Sequence, residues 1–335
     1  MEYILVTGGL GYIGSHCVVE LLNIKENVIV IDNLSNSNIT TYNKIKEISN
    51  DDFILHTFNI QDKTKLDKIF IQYKISLVIH FAGYKSVNES LTNPLLYYDN
   101  NIISAINLLQ IMEKHNCKNI IFSSSCTVYG KVKSPVHENM IINSENIITP
   151  YGKTKYMIEK ILQDIYISNP NWNIVILRYF NPTGCHSSGK LGEECTGIPN
   201  NLYPYILKVM VKQYDELKIF GNNYNTRDGT CIRDFIHVTD LALGHIKSMD
   251  KIKENCGLKL YNLGTGNGTS VLELVNTFEK VNNIKIKHRF CERRDGDIDI
   301  IYANIDKAIN ELDWKPLKTL EDICRDGFNF MHNKN

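Results

Sequence analysis

Tyr3-Ile4-Leu5-Val6-Thr7-Gly8-Gly9-Leu10-Gly11-Tyr12-Ile13-Gly14 is a short apolar, β-branched run closed by four glycines in seven residues, and a helical pattern, Ser15 to Leu22, follows at once. Strand, glycine turn and helix in that order are the setting a dinucleotide fingerprint requires. Gly9, Gly11 and Gly14 fit G-x-G-x-x-G, and Gly8, Gly11 and Gly14 fit a related spacing. Glycines let the backbone turn sharply and approach a pyrophosphate, whose charge then faces the free N–H groups of the helix N-terminus. The next strand pattern, Asn27 to Ile31, runs into Asp32, 18 residues beyond Gly14. An acid there accepts hydrogen bonds from an adenosine ribose and repels a 2′-phosphate, which favours NAD over NADP. No arginine lies between Asn33 and Tyr42 to receive that phosphate. The alternative for Asp32 is a turn cap.

The same rhythm continues outward. Strand patterns at Phe53 to Phe58, Ser76 to Phe81, Asn119 to Phe122 and Asn173 to Tyr179 alternate with helical ones at Thr64 to Tyr73, Leu95 to His115 and Tyr151 to Ser168. That alternation predicts an α/β fold with a doubly wound, parallel, Rossmann-type sheet. After Phe180 it breaks down. Residues 185 to 235 are rich in Gly, Asn, Pro and Tyr, with one helical stretch at Leu202 to Tyr214. We therefore expect a cofactor domain over 1–180, with a return segment near 236–265, and a second, smaller α/β substrate domain over 181–335.

Two clusters stand where such sheets bind ligands, at the carboxyl ends of strands. Ser123-Ser124-Ser125 ends the fifth strand pattern and reads either as turn chemistry or as a hydroxyl relay. Thr149-Pro150 supplies a cap and a first position for a helix that opens with Tyr151-Gly-Lys-Thr-Lys155. Tyrosine and lysine four residues apart share one helix face. A phenol has an unperturbed pKa of about 10, and a neighbouring cation favours its ionised form. One exposed lysine does not bring it to neutrality; a lysine together with a cationic cofactor in a dry pocket does. Taken alone, Y-x-x-x-K is also a common accident of helices.

Composition excludes several classes. Lys plus Arg and Asp plus Glu both number 37, so no net field points to nucleic acid or an anionic membrane surface. Nine cysteines without a C-x-x-C pair predict free thiols in a reducing compartment, no metal site and a cytoplasmic address. No apolar run reaches the roughly 18 residues of a membrane span, and Met1-Glu2-Tyr3-Ile4 enters a strand without a targeting segment, so a soluble protein is expected.

These motifs, in this order, resemble the extended short-chain dehydrogenase/reductase family, and within it the UDP-sugar 4-epimerases. The resemblance spans nearly the whole chain through Thr7 to His16, Ile79 to Gly83, Tyr97 to Asn100, Phe122 to Ser125, Pro150 to Lys155, Leu177 to Pro182, Gly197 to Leu202, Ile232 to Val238 and Tyr261 to Gly264. It implies interconversion of UDP-glucose and UDP-galactose through a 4-keto sugar, with Tyr151, Lys155 and Ser125 catalytic and no metal. It assigns NAD to Gly8, Gly11, Tyr12, Ile13, Gly14, Asp32, Asn33, Leu34, Ser35, Asn36, Ser37, Asn59, Ile60, Phe81, Ala82, Gly83, Tyr84, Lys85, Asn100, Ser125, Tyr151, Lys155 and Phe180. The UDP-sugar falls to Lys85, Ser125, Tyr151, Asn181, Asn201, Leu202, Lys218, Ile219, Phe220, Arg233, Arg294 through Asp297, and Ile301. Guanidinium forks at Arg233 and Arg294 suit a pyrophosphate. The resemblance also implies a homodimer through the helices near Leu95 to His115 and Tyr151 to Ser168.

The sequence departs from the family at three places. Asn59 replaces an aspartate near adenine, Phe235 replaces a tyrosine, and Ile301 stands where relatives limited to non-acetylated sugars carry a bulky tyrosine. Acceptance of N-acetylated UDP-sugars is therefore open. A related dehydratase or decarboxylase is the enzymatic alternative, and Cys126 and Thr127 disfavour it by supplying no carboxylate in the serine segment. A catalytically silent NAD-binding scaffold would have lost Tyr151, Lys155 or Ser125, and all three are present.

Overall fold

The structure is a computed structural model describing residues 1–194, 197, 199, 201–294 and 297–333. Seven strands form one sheet: β1 (Glu2–Thr7), β2 (Val28–Asp32), β3 (Ile54–Thr57), β4 (Lys74–His80), β5 (Asn119–Ser125), β6 (Asn173–Tyr179) and β7 (Leu258–Leu263). Their spatial order is β7-β6-β5-β4-β1-β2-β3, and every pairing is parallel. The strand order reverses between β1 and β4, so the carboxyl ends of those strands flank the crevice where a doubly wound fold binds its ligand. β2 and β6 are buried along their whole length, as strands covered on both faces must be.

Apolar side chains alternate between two cores, one on each face of the sheet. Val6, Val30, Ile79 and Leu177 pack beneath the Tyr12–Asn23 and Val238–Lys253 helices. Leu5, Ile29, Val78 and Ile176 pack with Leu108, Met112, Ile158 and Leu162 on the other side. A third core joins Tyr203, Ile206 and Leu207 to Val275, Phe278, Ile323 and Phe330. It lies among the elements that follow β6. There the strands are short: Asn181–Thr183 pairs with Phe235–His237, Leu217–Phe220 with His288–Cys291, and Ile232–Arg233 lies between Thr269–Ser270 and Ile300–Ile301.

Three expectations are refined. β5 extends past Phe122 to Ser125, which puts all three serines within the strand. The segment after Ile236 returns to the main sheet as the Val238–Lys253 helix followed by β7, whereas Phe235–His237 pairs outside that sheet. The long pattern read as one helix from Leu95 to His115 is interrupted: Pro94–Tyr97 and Ser104–Lys114 are α-helical, and Tyr98–Ile103 between them is π-helical. An apolar period sampled over six turns absorbs one extra residue without losing its face, so the interruption leaves no mark in the pattern.

Candidate active site

The glycine turn leaves β1 where the sheet's carboxyl edge needs it. Gly8 has a φ of +70°, and a Cβ there would lie 2.8 Å from the amide nitrogen of Ala82. A Cβ on Gly14 would lie 2.3 Å from the carbonyl oxygen of Gly8. Only glycine permits this closeness, and it leaves the start of the Tyr12–Asn23 helix bare for an anion. Asp32 ends β2 with its carboxylate 7% exposed. One oxygen accepts from the Leu10 amide at 3.0 Å, and the other from the Leu34 amide at 2.9 Å and the Ser37 hydroxyl at 2.7 Å. A carboxylate has about four acceptor positions. Three are taken in capping the turn, and one acceptor position is left over. Within the same loop Asn33 accepts from the Ser35 amide at 3.0 Å.

Across the switch point, the loop after β4 is pinned by Asn101, which accepts from the Tyr84 amide at 2.8 Å and donates to the Tyr84 carbonyl at 3.1 Å. The π-helical turn presents Asn101 and Asn100 together, and Asn100 donates to Asn101 at 3.1 Å. Asn100 was expected at the cofactor, and Asn101, which holds this loop, was not singled out in the sequence. Lys85, expected at both ligands, lies 2.6 Å from the Glu193 carboxylate and 5.6 Å from the centre of the Tyr12 ring. Asn59 accepts from the Gln61 amide at 3.0 Å, while Ile60 is buried in the core and has only its backbone to offer. These features fit a dinucleotide: a glycine cradle closed to any Cβ, an acceptor at the end of β2, and a loop held open by its own hydrogen bonds.

The catalytic candidates converge at the next two strands. Thr149 caps the Pro150–Ser168 helix by accepting from the Gly152 amide at 3.2 Å, which fixes Tyr151 in the first turn. Lys155, 6% exposed, donates to the Ser123 carbonyl at 2.6 Å, with its ammonium 5.0 Å from the Phe122 ring centre and 6.0 Å from that of Tyr151. Burial pushes the Tyr151 phenol up to about 12, against a hydrogen bond with Ser125 that pulls it down. Burial likewise brings the Lys155 ammonium down to about 8, against the attraction of Glu159. In the protein alone, then, desolvation outweighs the lysine. Each unit of return toward neutrality takes about 1.4 kcal/mol, which leaves a clear role for a cationic ring bound beside Tyr151.

Ser125 accepts from both the amide and the hydroxyl of Thr127, at 3.2 and 3.0 Å. With both lone pairs engaged, its own proton is directed outward, toward Tyr151. Thr127 went unassigned in the sequence, although its place two residues on is where a serine at a strand end finds such donors. Phe180 and Ile301 are both buried, in one cluster with Cys126, Val128 and Val136. Ile301, expected at the sugar, thus lies in an apolar cluster.

The remaining substrate candidates sit on the later elements. Arg233 donates to the Ile298 carbonyl at 2.6 Å and lies 3.7 Å from Asp297, while Arg294 lies 3.6 Å from the other oxygen of the same carboxylate and stacks 4.4 Å from the Phe220 ring centre. The two guanidiniums thus share one counter-ion. Asp234, fully buried, accepts from the Thr265 amide and hydroxyl, the Gly266 amide and the Ala303 amide, and so sets the strand on which Arg233 lies. Lys218 is exposed, Ile219 turns its side chain into the third core, and Asn201 precedes the Leu202–Met210 helix and donates to Glu193 at 3.4 Å. Asn181 gives its amide to the Asp234 carbonyl at 2.8 Å. Asp295 and Gly296, and Ile198 and Asn200 of the Gly197 to Leu202 motif, lie outside the described residues.

The family described as GDP-mannose 4,6 dehydratase matches residues 5–327. A UDP-glucose 4-epimerase of Bacillus subtilis (strain 168) is 48% identical, over 97% of this chain and 95% of its own length. The chain belongs to the extended short-chain dehydrogenase/reductase family of UDP-glucose 4-epimerases. A second member, the bifunctional UDP-glucose and UDP-xylose 4-epimerase of Pisum sativum, is 49% identical over 99% of this chain and 96% of its own. The crystal structure of the Bifidobacterium longum epimerase, in complex with NAD+ and UDP, superposes with a TM-score of 0.95 at 43% identity, covering 99% of this chain and 98% of that one. The broad family matched by residues 5–327 is named for a dehydratase, but β5 runs into Cys126 and Thr127, with no acid to drive elimination. The epimerase relatives and the site chemistry agree.

Proposed function

We propose that the site interconverts UDP-glucose and UDP-galactose, an NAD-dependent isomerisation, with Tyr151 acting as both base and acid. The observation that carries the residue assignment is the meeting of Tyr151, Ser125 and Lys155 at the carboxyl edge of β5, beside a glycine turn that fits a dinucleotide. Bound NAD supplies the hydride acceptor and donor at sugar C4, so the net redox change is zero. Tyr151, as phenolate, takes the proton of the 4-hydroxyl while Ser125 donates to the same oxygen. Lys155 holds its charge next to the phenolate. Arg233 and Arg294 hold the diphosphate, leaving the 4-keto sugar free to turn about its linkage and present its other face. Tyr151 then returns the proton.

The residue ranges divide accordingly: 1–180 with 236–265 hold the cofactor, and 181–335 hold the UDP-sugar. Ile301, buried in the apolar cluster, is smaller than the tyrosine of relatives limited to non-acetylated sugars, which supports acceptance of N-acetylated sugars as well. We further propose a homodimer in the cytoplasm. Leu95, Leu96, Ile103 and Met157 are exposed on the helical segments near Leu95 to His115 and Tyr151 to Ser168, a groove of about 690 Å³ is lined by Tyr98, Ile102, Lys153, Tyr156, Met157 and Lys160, and light scattering should return twice the chain mass. Among the described residues the eight cysteines are free thiols and no helix is long and apolar enough to cross a membrane.

The test is interconversion of UDP-glucose and UDP-galactose by the purified protein without added reductant, compared with a Tyr151→Phe variant matched for NAD content. Activity in the wild type and its collapse in the variant are expected; a variant retaining most of its turnover would overturn the role given to Tyr151. Running the acetylated pair alongside tests Ile301, and acetylated turnover below a hundredth of the other would refute that acceptance.

A further inference from the structure

The Pro150–Ser168 helix carries three functional groups on successive turns of one face, Tyr151, Lys155 and Glu159, and the reaction uses only the first two. Glu159 is 1% exposed. It accepts from Arg178 Nε at 3.0 Å on one oxygen and from Arg178 Nη2 at 2.7 Å on the other, and the first oxygen also accepts from the Ser124 hydroxyl at 2.5 Å. Arg178 lies on β6 directly opposite Ser124 on β5. The carboxylate thus ties a helix to two adjacent strands at their carboxyl ends. The guanidinium is braced in turn by the Tyr129 ring, 4.7 Å from its carbon, and Tyr129 donates to Asn262 at 2.6 Å.

A buried ion pair is poor value as a fastener, because desolvation offsets most of the attraction and two apolar residues of the same volume often stabilise as well. Its position argues for another task. Ser124 lies between the carbonyl that receives Lys155 and the hydroxyl that faces Tyr151. We propose that Glu159, oriented by Arg178, is a positioning residue for this reaction: it fixes the Ser123–Ser125 strand end and keeps Lys155 protonated beside Tyr151. The proposal rests on the roles assigned above to Tyr151 and Lys155.

The groups facing Lys155 permit this. From its own helix come Tyr151 and Glu159; from β5, the Ser123 carbonyl and the Phe122 ring; from β4, His80. His80 is buried, bonded to the Thr7 hydroxyl at 2.7 Å, and held down to about 3, so it is neutral. The segments packed on the rest of the helix bring Glu89, engaged by Tyr97 at 2.7 Å, and Asp99, engaged by Gln61 at 3.3 Å, with Tyr98 and Tyr129. Glu159 is the carboxylate whose charge reaches the ammonium. Removing it leaves Arg178 as an unbalanced cation near Lys155; removing Arg178 leaves the carboxylate unbalanced. The two changes have opposite signs.

The experiment measures the pH dependence of kcat for NAD-loaded enzyme, and the Tyr151 phenolate absorbance as a difference from Tyr151→Phe. In Glu159→Gln, Lys155 loses its proton sooner, so the alkaline limb falls by about one pH unit or more and the phenolate forms at higher pH. In Arg178→Met the alkaline limb rises. Ser124→Ala keeps the charge and lowers kcat without moving the limb. A purely structural pair would lower rates with the limbs in place, or shift both single variants the same way, and either result overturns the proposal. If the single variants do not fold, Glu159→Met/Arg178→Met removes both members of the pair; the two effects partly cancel, but Glu159 is the charge that acts on Lys155, so the limb should still fall, by less than in Glu159→Gln, and an unmoved limb refutes the idea. Because Tyr151→Phe is assayed in parallel, loss of the Tyr151 role would be seen separately.

Discussion

The two halves of the site are built in opposite ways. On the cofactor side, polar groups are already satisfied within the protein: Gly8 donates to the Ile31 carbonyl at 2.8 Å, Asp32 collects three donors, and Asn101 grips Tyr84 from both directions. On the side proposed for the diphosphate, Arg233 and Arg294 share Asp297 at 3.7 and 3.6 Å, longer than a good charge-assisted hydrogen bond. Partly exposed ion pairs of that kind contribute about 0–1 kcal/mol. Exchanging one carboxylate for a diphosphate therefore costs these arginines little, whereas the cofactor cradle has nothing to rearrange. The proposed reaction, in which the cofactor stays bound while the sugar turns over, suits this asymmetry.

The chemistry at the seam should show the largest effect. Tyr151→Phe removes a general base and acid at once and should lower kcat by roughly 10²–10⁴-fold with NAD still bound. Arg233→Ala tests the adjustable side: a charge-assisted contact worth about 1.5–3 kcal/mol predicts KM for the UDP-sugar raised about 10- to 100-fold. Its kcat should change far less, and an equal fall in kcat would mean that the arginine acts on the reacting sugar rather than on the diphosphate. Gly14→Ala tests the fixed side. Its Cβ would lie 2.3 Å from the Gly8 oxygen, and overpacking of this kind costs about 1–3 kcal/mol, visible as a lower melting temperature and faster loss of NAD. A variant with wild-type melting and retention would show the cradle to be as adjustable as the arginines. Smallest is Asp32→Asn, which keeps the shape but loses the charge; release of NAD should quicken about tenfold or less, measured by stopped-flow fluorescence.

What could be read from the sequence follows the same division. Gly8 to Gly14, Asp32 and the Tyr151/Lys155 pair were legible because each is a local spacing whose meaning is set by the backbone it sits on. Glu159 and Arg178 were not, although Arg178 fell inside a motif already singled out. Their link depends on β5 and β6 being in register, with Ser124 opposite Arg178, and no spacing along the chain encodes that. The strands Ile232–Arg233 and Ile300–Ile301 are two residues long, too short for any alternation to be seen, so the meeting of Arg233 and Arg294 comes from the fold alone. The fully buried Asp234, which anchors that corner through three amides and a hydroxyl, lies within the Ile232 to Val238 motif, but no local spacing gave it a role.

The π-helical turn at Tyr98–Ile103 has a bearing on how this chain tolerates length changes. Such a turn holds one residue more than an α-helical one. Deleting a single residue there would let the backbone heal into an unbroken α-helix and gain regular hydrogen bonds. The flanking turns would keep their register, because the wide turn already takes up the extra residue, but the bulge that presents Asn101 would be gone. Asn101 would swing away from Tyr84 and Thr154, which it now joins at 2.8–3.1 Å. A shortened chain of this kind should melt no lower than its parent and yet hold its dinucleotide poorly.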